Sequence, residues 1–85
     1  MLIADGFDAA VVGVVTLPES GRTVVCYSFD RAVDVCMNDW DMSLDEAIEH
    51  LEFNVMGAYV GELTPLWLHD ADINLVHEIA DEIAE

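Results

Sequence analysis

Lysine is absent from this chain and arginine occurs only as Arg22 and Arg31, against 18 aspartates and glutamates, leaving a formal net charge of -16 over 85 residues. A chain with that balance is repelled by nucleic-acid phosphates and by anionic membrane surfaces alike. Long hydrophobic runs are missing too: none approaches the ~20 residues that a helix needs to span a bilayer. With two cysteines, Cys26 and Cys36, there is no disulfide framework to read. The two prolines, Pro18 and Pro65, fall where the pattern already requires a turn. Internal repeats, low-complexity tracts and phosphate-cradling glycine loops are likewise absent.

Hydrophobic residues nevertheless make up 54% of the chain, far above the content of a disordered acidic tail. A chain of this length buries ~60% of its unfolded surface. Residues 1–85 are therefore expected to form a single acidic domain with one small core. The N-terminal stretch carries Asp5 and Asp8 and no cation before Arg22, unlike a secretory signal, so the cytoplasm is the expected compartment. The two cysteines, each among apolar neighbours, are expected to be buried free thiols.

Two strands are expected first. Ala9 to Leu17 is rich in Val, and Thr23 to Phe29 alternates, with Val25, Tyr27 and Phe29 on one face. Between them Pro18-Glu19-Ser20-Gly21-Arg22 supplies turn chemistry, which predicts an antiparallel hairpin. The period then changes. Ala32, Val33, Cys36 and Trp40 share one helical face and Arg31, Asp34, Asn38 and Asp41 the other, with Asp30 as the expected N-cap. A second helix starts at a capping box, Ser43-Leu44-Asp45-Glu46, and turns Leu44, Ala47, Ile48, Leu51 and Val55 inward. Gly57 and Gly61 bracket Ala58-Tyr59-Val60, and Pro65 precedes Leu66-Trp67-Leu68, which predicts a short second hairpin or a strand and a bend. From about Asp72 a last helix is expected, with Ile73, Val76, Ala80 and Ile83 inward. The order is ββααββα, a small α+β domain.

Three histidines, His50, His69 and His77, each have a nearby carboxylate, but in so acidic a chain that follows from composition, and no His-x-x-x-His or paired-Cys motif is present. The pair His69-Asp70 resembles that of metal-dependent phosphohydrolases, whose other ligands have no counterpart here. Asp39-Trp40-Asp41-Met42-Ser43 opens like a calcium loop, yet Leu44 stands where the loop requires Gly and His50 where it requires Glu. No nucleophile can be placed beside a base, nor can two carboxylates be placed in contrasting environments. The expectation is a protein without catalytic residues, metal or cofactor.

The charge itself remains. Glu78, Asp81, Glu82 and Glu85 share the polar face of the last helix, averaging one carboxylate per about 3.5 Å of axis, close to the ~3.4 Å per phosphate of a DNA strand. Solvated helix faces normally mix both signs; these carry one. Such a surface suits a strongly positive partner. The expected contacts are Asp45, Glu46, Glu49 and Glu52 on the second helix and Glu78, Asp81, Glu82 and Glu85 on the last.

Asp8-Ala9-Ala10-Val11-Val12-Gly13-Val14, Met42-Ser43-Leu44-Asp45-Glu46-Ala47 and Glu52 to Glu62 through Thr64-Pro65 resemble small acidic proteins of bacteriophages. The resemblance covers most of the chain. In character the sequence is similar to the acidic anti-CRISPR inhibitors of type I (Cascade) complexes, type I-C among them. What the resemblance implies is a DNA mimic in the host cell cytoplasm that occupies a basic DNA-binding channel of Cascade and blocks target DNA. The implied partner is thus a basic nucleic-acid-binding protein complex, with no direct contact to nucleic acid or membrane, and the protein itself a monomer or weak dimer. The competing reading is a salt-adapted structural or interaction domain of a halophile or its virus, whose acidity serves solvation in molar salt. Such a domain should unfold at low salt, whereas a phage inhibitor should stay folded in ordinary buffer.

Overall fold

A computed structural model of the chain describes residues 2–58, 61 and 63–83; of Ala58 and Ile83 the backbone alone is described. Within them a three-stranded sheet, β1 (Val11–Thr16), β2 (Thr23–Ser28) and β3 (Leu66–Leu68), is ordered β1-β2-β3. Helices α1 (Phe29–Asp39) and α2 (Leu44–His50) follow β2, and α3 (Ile73–Ile83) follows β3. This is a small α+β fold, as the sequence predicts.

The first hairpin forms where the turn chemistry places it. Gly21 takes a φ of 72°, its N–H donates to the Leu17 carbonyl at 2.7 Å, and the Leu17 N–H donates to that of Arg22 at 2.7 Å. β1 is shorter than the apolar run, because Asp8–Ala10 forms a 3-10 turn. Its antiparallel register pairs Val14 with Val25 and slips between Val11 and Gly13, so Val12 is an extra residue in β1.

Two expectations need correction here. The N-cap of α1 is Ser28, not Asp30: the strand runs straight into the helix, and the Ser28 hydroxyl accepts the Arg31 N–H at 3.2 Å. Asp30 then lies in the first turn, where a carboxylate meets the positive end of the helix dipole. The alternation of β2 is also hidden in burial, since Val24, Cys26 and Ser28 are as buried as Val25 and Tyr27.

The expected second hairpin also needs correction: Met56–Ala58 forms a 3-10 turn, Tyr59 and Val60 lie outside the described residues, and β3 has no antiparallel partner among those described. β3 joins the same sheet, parallel to β2, with Tyr27 opposite Trp67. A parallel pair needs a crossover, and α1 and α2 supply it. They cover the face of β2 that carries Val25 and Tyr27, with Phe29, Ala32, Val33, Cys36, Ala47, Leu51 and Val55 in one core.

The N-terminal arm closes this core. Tyr27 is fully buried, and its hydroxyl accepts the Ala4 N–H at 2.9 Å. Trp67 stacks on the same ring at 5.0 Å, and Phe7 meets Trp40 edge-on at 5.2 Å and Trp67 at 6.2 Å. Gly6 is required where it stands: its φ is 86°, and a Cβ there would lie 3.0 Å from the Trp40 ring. Tyr27→Phe would leave the buried Ala4 N–H without its acceptor, at a cost of about 1–3 kcal/mol. In a thermal melt the midpoint of that variant is expected to fall by several degrees; an unchanged midpoint would remove this bond from the account.

Candidate functional site

Every described aspartate and glutamate is exposed. The two cations do little to offset them, for the chain has no Lys or Arg after Arg31. Arg31 itself borders a hollow of about 260 Å³ shared with Asp34 and Asp39. Both α2 and α3 are thus without a basic side chain of the Lys or Arg type.

The geometry of α2 is set by its cap. The Ser43 N–H donates to Glu46 Oε1 at 3.0 Å and the Glu46 N–H donates to the Ser43 hydroxyl at 3.2 Å, the reciprocal pair that the sequence predicts. The backbone N–H of Ser43, and then its hydroxyl, hold the Glu46 carboxyl below its ordinary value. Glu46 is therefore committed to the helix start. Asp45, Glu49 and Glu52 are exposed and make up the free acidic face.

After His50 the helix widens into a π-helical turn, Leu51–Val55, closed by the Met56 N–H on the Leu51 carbonyl. Leu51 and Val55 enter the core, while Glu52, Phe53 and Asn54 stay outside. Leu44, expected inward, is exposed because the helix start projects past the layer that Ala47 and Leu51 pack against. Phe53 is 74% exposed, the most exposed of the large apolar side chains described. It follows Glu49 by four residues and Glu52 by one, so an aromatic ring stands beside the acidic stripe. Phe53 is not among the contacts expected from the sequence, although its position off the inward stripe and between acids is a readable signal. Beside it, Met42, Glu46, Glu49, His50 and Asn54 line a shallow depression of about 250 Å³.

α3 starts where expected, with the Asp72 carboxylate accepting the Leu75 N–H at 2.8 Å. Glu78, Asp81 and Glu82 are exposed; Glu85 lies outside the described residues. The expected inward stripe is not buried. Ile73 is 65% exposed and Val76 47%, and Ala80 is exposed as well; the Ile83 side chain lies outside the description. The core side of the sheet is already filled by α1, α2 and the N-terminal arm, which leaves α3 no buried slot. An eleven-residue helix alone in water is marginal, so α3 has stability to gain by docking.

The histidines of the core flank are packing groups. His50 meets the Trp40 ring edge-on at 5.9 Å, with its Nδ1 3.4 Å from the Asn54 amide nitrogen, and His69 lies 4.7 Å from the Phe29 ring. Asp41 adopts a φ of 54° in the turn between α1 and α2, and the Met42 N–H returns to the Cys36 carbonyl at 3.2 Å. Among the described residues no cluster of three His, Cys, Asp or Glu is arranged to hold a metal ion. Cys26 and Cys36 are buried free thiols, and burial pushes the Cys36 thiol up, away from the reactive thiolate. Also among the described residues, no helix is long and apolar enough to cross a membrane.

No protein-family model, curated protein or solved structure matches the chain.

A depressed carboxyl contributes to stability above its unfolded value, ~4.3 for Glu, and that contribution is lost as the pH falls through the lower folded value. Carbon-detected NMR titration should therefore place the Glu46 midpoint below the ordinary glutamate range, and Ser43→Ala, which removes the hydroxyl and keeps the backbone N–H, should raise it only in part. A Glu46 midpoint within the ordinary range in the unaltered protein would show that the cap does not set it.

Proposed function

We propose that this protein is a non-enzymatic inhibitor that lays acidic helix faces on the basic DNA-binding channel of a nucleic-acid-binding complex and keeps target DNA out. The resemblance of the sequence to acidic phage proteins makes that complex a type I Cascade, type I-C in the first instance, met in the host cell cytoplasm. One observation carries the reading: every described carboxylate is exposed, and α2 and α3 bear acids with no Lys or Arg to balance them.

Charge of one sign steers the encounter with a positive channel, and counterions leave both surfaces on contact. Charge alone gives on-rate more than affinity. The exposed Phe53 beside Glu49 and Glu52 adds what a lasting interface needs, an aromatic anchor within a polar rim. On α3 the apolar half flanked by Glu78, Asp81 and Glu82 offers a second contact of the same kind. Asp45, Glu49, Glu52 and Phe53 form the first contact face in this proposal.

The test is charge reversal that spares the cap. Asp45, Glu49 and Glu52 are changed together to Lys, Glu46 is left in place, and inhibition of DNA binding by purified Cascade is measured beside a melt. The half-inhibitory concentration is expected to rise at least about tenfold, equivalent to about 1.4 kcal/mol. Unchanged inhibition by a folded variant would remove α2 from the interface. Reversal of Glu78, Asp81 and Glu82 on α3 then shows whether that face carries the contact instead.

A further inference from the structure

The distribution of charge leaves one stretch bare. From Ala9 to Pro18 no residue is charged, in a chain that is 24% charged and has a net charge of -16. That stretch contains all of β1, which stands at the end of the sheet with no described strand beyond it. Edge strands are usually blunted by charges or prolines, since an open edge pairs with whatever strand it meets. Here the blunting is limited to the extra residue at Val12.

The sheet face at this edge is also uncovered. Val14 sits opposite Val25 on the core side, yet Val14 is 63% exposed while Val25 is buried. The core layer ends one strand short of the sheet. Val12 adds a further half-exposed apolar side chain.

We infer that this edge is the docking surface for a second copy of the chain, with β1 pairing antiparallel to β1 about a two-fold axis and extending the sheet across the dimer. The occupant follows from the charge. A cationic partner gains nothing from an uncharged edge, whereas a second copy can approach there with the acids of α2 and α3 kept off the seam. A two-fold interface is self-complementary by construction. This inference is independent of the reading of the acidic faces.

Salt separates the two. Repulsion between two strongly negative copies is screened by salt, so the dimer should tighten as salt rises, while binding to a basic channel should weaken. Sedimentation equilibrium of the full chain at about 50 and about 500 mM NaCl, Debye lengths of roughly 14 and 4 Å, should show a dimer constant at least tenfold tighter at high salt. Val14→Glu places a carboxylate on the seam at an already exposed site and should weaken the dimer at least tenfold, with Val14→Thr falling between; far-UV circular dichroism checks the fold of each. A monomer at both salts, a dimer that loosens with salt, or a dimer unchanged by Val14→Glu in a folded variant would each overturn the inference. Capture of a foreign strand on β1 by an otherwise monomeric chain would overturn it too.

Discussion

The hydroxyl of Tyr27 accepts the N–H of Ala4, and the same ring carries Trp67 on its face; through this one side chain the N-terminal arm, the central strand and the third strand are held together. The neighbours of Tyr27 depend on that arrangement. Phe7 reaches both tryptophans only because the arm is held over the core, and the arm turns there only because Gly6 adopts a conformation that a side chain would oppose. β3 is three residues long, too short to hold a place by its ladder alone, and the stacked indole fixes its register against β2. The crossover helices α1 and α2 then have a defined face to cover.

This small core works against a large charge. With a net charge of -16 the folded chain concentrates repulsion that an expanded one would relieve. The fold meets this by keeping every described carboxylate in water and by using two as caps, Glu46 at α2 and Asp72 at α3. Those acids serve the fold first. Asp45, Glu49 and Glu52 have no such duty, and the same holds for Glu78, Asp81 and Glu82, so these acids are free to meet a partner. The uncharged β1 edge is the counterpart of that division, a surface where like charge does not forbid self-association.

Local chemistry was legible in the sequence and long-range placement was not. The Ser43–Glu46 box, the Gly21 turn and the start of α3 at Asp72 each depend on residues within four positions, and each formed as expected. The cap of α1 went to Ser28 because a strand ends directly against the helix, a junction that periodicity does not mark. The parallel seat of β3 depends on Trp67 meeting Tyr27 forty residues away, which no local pattern encodes. On α3 the apolar stripe gave the helix correctly and its burial wrongly, since amphipathicity states what a helix could bury and not whether a surface is left to receive it. Phe53 was the reverse case, a residue whose place among acids could have been read.

In these proposals the acids of the two helices are assigned to one positive partner and the β1 edge of the sheet to a second copy. The central claim is the first of these. Titration of purified type I-C Cascade by calorimetry, once free and once loaded with target DNA, tests it most directly. The account predicts binding to the free complex that weakens as salt rises, and its loss when DNA already fills the channel. Equal binding to the free and the DNA-loaded complex, or no binding to either, would contradict it.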